Sequence, residues 1–256
     1  MLEIMVEIML EIMVEKLLFI SIEKEVAISD NSIKLMNEIS KDEFNMFVPV
    51  TSMSKSEYEK LDLEVQPQYA LASNGGILLK DGGIDEEWYN ESIELARKCQ
   101  AEFEITKKIL KANKDTVSDA EFVDELYWKA KCDDPENIVT TLLGTLYHSD
   151  VKILDIENEV YVIPKALDKG ECVERFISHL KEKEQYYIEA TYGIGACFLD
   201  VNMLEKLNYV YVSKPLKSNN FTFISSPNYL FEVYEGDGDF LRWGLNMVFR
   251  GLESQS

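Results

Sequence analysis

The chain has 256 residues, 46% of them apolar, and a formal charge of −21 at pH 7. That length buries a sizeable core in one large domain or two modest ones, and that charge argues against polyanionic partners, nucleic acid and anionic membrane alike. Four scattered cysteines without a Cys-x-x-Cys pair, and only two histidines, suggest neither a disulfide framework nor a zinc site, which fits a reducing cytoplasm. No apolar run approaches the roughly 18 residues of a membrane-spanning helix.

Residues 1–16 read as a repetitive extension. Residues 1–8 recur almost letter for letter as 9–16, with Glu3, Glu7, Glu11 and Glu15 at a period of four, the spacing of a slowly drifting helical stripe. A duplicated segment ahead of the fold, with Met13 as its original start, accounts for it better than a partner-binding helix. Leu17-Leu18-Phe19-Ile20 begins a short, continuously apolar central strand over residues 17–22. Residues 32–39 are helical by spacing, and Phe47-Val48-Pro49-Val50 is a second buried strand. Ser54 with Glu57 three positions later opens a short helix by a capping box. Tyr69-Ala70-Leu71-Ala72 is a third strand, closed by Asn74-Gly75-Gly76, a turn that asks for positive φ. Strand and helix alternating in this way predict a parallel, doubly wound sheet.

The middle of the chain changes character. Residues 86–113 carry one long amphipathic helix pattern, 122–132 a strand, 135–147 a helix, and 151–154 pairs with 160–163 across Glu157-Asn158. This is an α+β insert, residues 81–164, between core segments 17–80 and 165–256. The α/β rhythm then returns: helix over 171–183, strand over 186–190, helix over 201–207, strand over 209–212 and a final helix over 237–249.

Three segments carry chemistry-bearing residues. Thr51, with Ser52 beside it, is a hydroxyl at the tip of a buried strand; Lys169-Gly170 opens a helix; Gly195-Ala196-Cys197-Phe198-Leu199-Asp200 follows a strand. In this order and spacing they resemble motifs two, three and four of the haloacid-dehalogenase (HAD) superfamily of aspartate-nucleophile phosphohydrolases. With Ala72-Ser73-Asn74-Gly75-Gly76, Leu167-Asp168 and Asp239-Phe240-Leu241-Arg242-Trp243, the chain from Leu17 onward resembles the Cof and sucrose-phosphate-phosphatase type. It looks nearest to HAD proteins of tellurite-resistance-type gene clusters.

The resemblance implies a Rossmann-like core with an α/β cap, a bound Mg²⁺, and a small phosphorylated substrate. It also implies that Thr51 contacts a phosphate and Lys169 neutralises nucleophile and phosphate. It places Ser21 at the nucleophile position, Glu23 at the acid/base position, Ala196 at the first acid of motif four and Asp200 at the second. The carboxylate nucleophile is therefore a serine, and a direct metal ligand is an alanine.

A degenerate phosphatase is expected, binding a phosphorylated ligand, a phosphate ion or a protein partner. Thr51, Ser52, Asn74 and Lys169 are its candidate ligand contacts, and Asp200 and Glu23 the remaining ligands for a weak or lost Mg²⁺. The alternatives are an active Mg²⁺-dependent phosphohydrolase in which Glu23 or Asp200 takes over a role, and a structural subunit. On the residues alone, Asp200 reads as a helix cap. Lys169 reads as an exposed lysine at a helix start, Asn74 as a hinge turn, and Asp237-Gly238-Asp239 as a solvated cap; the resemblance, with no aspartate at 21 or 196, implies that Lys169 lacks its carboxylate partner. The loops bearing Ser21, Glu23, Thr51, Lys169 and Asp200 are expected to meet beneath the cap.

Overall fold

The computed structural model describes residues 12–23, 28–61, 63, 66–156, 158–213, 230–236 and 238–249. Among the described residues, twelve strands fall into two sheets. The large sheet contains β1 (Ile12–Ser21), β2 (Asn45–Val50), β3 (Tyr69–Ala72), β4 (Ile77–Lys80), β5 (Gly83–Ile84), β10 (Tyr186–Gly195), β11 (Tyr209–Ser213) and β12 (Leu230–Tyr234). Its order is β12-β11-β10-β1-β2-β3-β4-β5. The first six of these run parallel, and β4 and β5 are antiparallel additions at one edge. The small sheet has the order β6-β7-β9-β8, entirely antiparallel, from β6 (Val117–Val123), β7 (Tyr127–Cys132), β8 (Val151–Ile156) and β9 (Glu159–Pro164).

The continuous apolar run of β1 is explained by burial on both faces, as a central parallel strand requires. Successive side chains of a strand point to opposite faces. Leu17 and Phe19 pack with Val173, Phe176, Leu180 and Leu204, on helices α6 (Lys169–Glu182) and α7 (Val201–Leu204). Leu18, Ile20 and Ile22 pack on the opposite face against Met36, Ile39, Leu241 and Leu245, from α1 (Asp30–Ile39) and α8 (Phe240–Phe249). Helices thus cover both faces of the sheet. Alongside the small sheet lie α4 (Gln100–Ala112) and α5 (Pro135–Thr145), and Phe103, Leu110, Ile138 and Leu142 share one apolar cluster with Tyr127, Tyr161 and Val162; α3 (Glu86–Arg97) instead packs by β4 of the large sheet, with Trp88 against Phe176 of α6. The fold is a Rossmann-like α/β core carrying an α+β cap. No helix among the described residues is long and apolar enough to cross a membrane.

Several boundaries differ from the sequence reading. β1 starts at Ile12, so residues 12–16 are strand, not part of a detached extension; Ile12 pairs with Tyr186, and Val14 is buried. Residues 1–11 lie outside the described ones. The long helix expected over 86–113 is two helices, because Cys99 departs from helical geometry between them. The edge strand β5 lies within the span assigned to the insert yet extends the large sheet. The capping box at Ser54 forms as expected, starting α2 (Lys55–Glu59).

Candidate functional site

The carboxyl ends of parallel strands are where open α/β sheets place their sites. Ser21 is the last residue of β1, and Glu23 follows two residues on, 8% exposed. Ser52 follows β2. Lys169 is the first residue of α6, which Asp168 caps by accepting a hydrogen bond from the Glu171 N–H at 3.0 Å. Gly170 is required there, since a Cβ would lie 2.5 Å from the Asn202 carbonyl oxygen where α6 meets α7. Asp200 closes the turn after β10.

These residues form one closed polar network. The Lys169 ammonium, 1% exposed, donates to Glu23 Oε1 at 2.5 Å, to Asp200 Oδ1 at 2.7 Å and to Ser21 Oγ at 3.2 Å. That uses its three donors. The Ser21 hydroxyl donates to Asp200 Oδ1 at 2.7 Å. Asp200 Oδ2 accepts from the backbone N–H groups of Ala196 at 2.9 Å and Cys197 at 3.0 Å. Glu23 accepts the Ser52 N–H on Oε1 at 2.9 Å and the Ser52 hydroxyl on Oε2 at 2.5 Å. Tyr127, from the small sheet, donates its hydroxyl to the Ser52 carbonyl, so the cap braces the residue that holds Glu23.

The electrostatics follow from burial and pairing. Burial by itself lowers the Lys169 pKa, but the Asp200 and Glu23 carboxylates outweigh it and hold the ammonium above its usual range. Burial pushes the Asp200 carboxyl up, and Lys169, with the Cys197 backbone N–H and the Ser21 hydroxyl, pulls it below the usual carboxylate range. Burial raises the Cys197 thiol. Glu23, Cys197 and Asp200 offer donor atoms within 4.8 Å of one another. All four carboxylate oxygens already accept hydrogen bonds, and the Lys169 ammonium bridges the two groups.

A cavity of about 810 Å³ opens above this network, between the two sheets, within the range of small-molecule sites. Ser21, Glu23, Ser52 and Asp200 form its floor, and Lys131, Glu159 and Tyr161 of the small sheet stand across from them. Lys169 lies behind Glu23 and Asp200 and does not reach the wall.

The structure brings Ser21, Glu23, Ser52, Lys169 and Asp200 together. Thr51 is buried and turned to local structure, its Oγ1 accepting from the Met53 N–H at 3.1 Å, and it does not line the cavity. Asn74 is buried in the φ-positive turn, also away from the cavity. Two expectations are overturned. Asp200 makes no side-chain cap to α7 but anchors the network, and Lys169, expected to lack a carboxylate partner, has two.

Sequence reasoning missed Ser29 and read Asp239 only as a solvated cap, whereas both line the cavity and bond each other. Asp239 caps α8 through the Arg242 N–H at 2.9 Å, as expected of a cap, yet its carboxylate also takes the Ser32 hydroxyl of α1 at 3.2 Å. The signal available was Ser29-Asp30-Asn31-Ser32, a helix-start pattern with nothing in it to say what it faces.

No family model matches the sequence, and no curated protein matches it. Solved structures do. The sucrose-phosphatase of Synechocystis, in complex with sucrose and phosphate, is similar at 15% identity over 93% of this chain and 99% of that one, with a TM-score of 0.68. The C-terminal domain of Candida albicans trehalose-6-phosphate phosphatase is similar at 18% identity, covering 91% and 92%, with a TM-score of 0.63. The C-terminal domain of the C. albicans trehalose synthase regulatory protein is similar at 13% identity, covering 91% and 93%, with a TM-score of 0.58. At these identities the likeness establishes the fold alone: a Rossmann-like α/β core with an α+β cap, shared with the sucrose- and trehalose-6-phosphate phosphatases.

Proposed function

We propose that this chain is a phosphatase-fold protein that binds a small phosphorylated, sugar-like molecule in the cavity between its sheets and does not hydrolyse it. The observation that carries this is the state of the Ser21 hydroxyl. A serine nucleophile must give its proton to a base as it attacks. The acceptor of that proton is Asp200, whose lowered pKa makes it a weak base, and the adjoining Lys169 is held protonated and offers no lone pair. Attack through Glu23 is opposed in the same way, because both of its oxygens are tied down by Ser52 and Lys169.

The donor set also supports a site that works without Mg²⁺. That ion demands hard oxygen ligands in near-octahedral geometry, whereas here one donor is a protonated thiol and each carboxylate oxygen is already engaged. The hydroxyl-bearing wall from Ser29, Ser213 and Tyr161 suits a polyol, and the Synechocystis phosphatase holding sucrose and phosphate supports a ligand of that class. Four free cysteines agree with a reducing, cytoplasmic setting.

Hydrolysis of an aryl phosphate with and without Mg²⁺ tests the reading. No release above background is expected from the wild-type chain. Mg²⁺-dependent turnover that disappears in Lys169→Met would replace this reading by an active phosphohydrolase.

A further inference from the structure

The carboxylate of Glu23 is held as a bound anion is held. Three donors from a loop and a helix start converge on it: the Ser52 backbone N–H, the Ser52 hydroxyl and the Lys169 ammonium, at 2.9, 2.5 and 2.5 Å. A backbone N–H, a hydroxyl and an ammonium aimed at one point are the donors that recognise carboxylate and phosphate oxygens alike. The group that fills this point is neither a ligand nor part of a helix or strand. It is a side chain two residues past the end of β1, lying at the cavity floor and 8% exposed.

The charge count points the same way. With Glu23 in place, the cluster of Glu23, Asp200 and Lys169 carries two formal negative charges against one positive, and Lys169 is screened from the cavity. A phosphoryl group entering then meets two carboxylates and no free donor from this cluster. Without the Glu23 carboxylate, the same cluster is neutral, Lys169 regains an N–H, and both Ser52 donors face the opening.

We propose that Ser52 and Lys169 form an oxyanion-binding site which the chain's own Glu23 carboxylate occupies, so that a phosphoryl ligand binds only by displacing it. The inference rests on the reading of this cavity as a phosphoryl site with Ser52 and Lys169 among its contacts, and it goes further in identifying Glu23 as the competitor that holds them. No bond is made or broken in the exchange; one anion replaces another on the same three donors.

The probe is inorganic phosphate without added metal, measured by calorimetry against the full chain and against Glu23→Ala, with folding followed by circular dichroism. Phosphate is expected to bind Glu23→Ala at least tenfold more tightly than wild type. Adding Ser52→Ala to that variant should remove most of the gain. Should Glu23→Ala fail to fold, Glu23→Gln replaces it, with the same direction of change because the competing charge is gone. A folded variant that binds phosphate no better than wild type overturns the inference, as does wild-type binding equal to that of the variant. Turnover in the aryl phosphate assay would refute the non-hydrolysing reading alone and leave this comparison standing.

Discussion

Replacing Lys169 with methionine removes the one cation of the buried cluster while nearly preserving its volume. Lys169 and Asp200 are 1% and 0% exposed, and Glu23 is 8% exposed, so two carboxylates would be left facing each other out of water. Removing one partner of a buried ion pair costs about 3–5 kcal/mol, because the surviving charge keeps its desolvation penalty without its Coulombic return. For a domain of this size each kcal/mol lowers the Tm by about 2–4 °C, so the expected loss is roughly 6–20 °C at pH 7.

The pH dependence separates this cause from a packing defect. In the wild type the Asp200 pKa is depressed, so its contribution is present above the unfolded carboxylate value, about 3.9, and is lost as pH falls through the lower folded value. The Lys169 pKa is raised, so its contribution is complete below the unfolded lysine value of about 10.4 and fades only as pH rises through the folded value. In the variant, burial without the ammonium turns the Asp200 shift upward. The carboxyl then destabilises the fold above its unfolded pKa, and protonation relieves it as pH falls. The Tm gap between wild type and Lys169→Met should therefore be widest near pH 7 and shrink toward pH 4.5. Thermal melts of both proteins across that range read it directly. A gap below about 2 °C at pH 7, or one of equal size at both ends, refutes the argument.

Two further outcomes follow from single contacts. Tyr127→Phe deletes the hydroxyl that donates to the Ser52 carbonyl and leaves the ring in place; a loss of about 1 kcal/mol is expected from denaturant unfolding, and an unchanged midpoint would show that this bond adds nothing. Gly170→Ala puts a methyl group 2.5 Å from the Asn202 carbonyl oxygen, backbone that cannot swing aside, so α6 and α7 must part at a cost of roughly 1–3 kcal/mol; a melting temperature equal to wild type would show that the helices yield freely.

Much of the fold was legible because its signals are local. The apolar run of β1, the Ser54 capping box and the turn at Asn74 each follow from properties of neighbouring residues, and all three appear where the sequence places them. The break in the helix at Cys99 was not legible, since the amphipathic period runs on through it, and neither was the start of β1 at Ile12. Glutamate every fourth residue suits a helix, but alternate residues of a strand share a face too, and pairing of Ile12 with Tyr186, some 170 positions away, settled the matter.

The site divides along the same line. Ser21, Glu23, Lys169 and Asp200 could be read from motif order, and the serine at the strand end was plain in the sequence, but the motif pointed to Thr51 where the structure puts its neighbour Ser52 in the site. What the sequence could not give was who pairs with whom. Whether Asp200 caps a helix or anchors an ion cluster depends on a lysine 31 residues away, and whether Lys169 is free or spent depends on a glutamate 146 residues away. Propensity, capping and periodicity act over a few residues and are written in the sequence. Charge compensation in a buried site acts through space, and only the packing of the two sheets and their helices decided it.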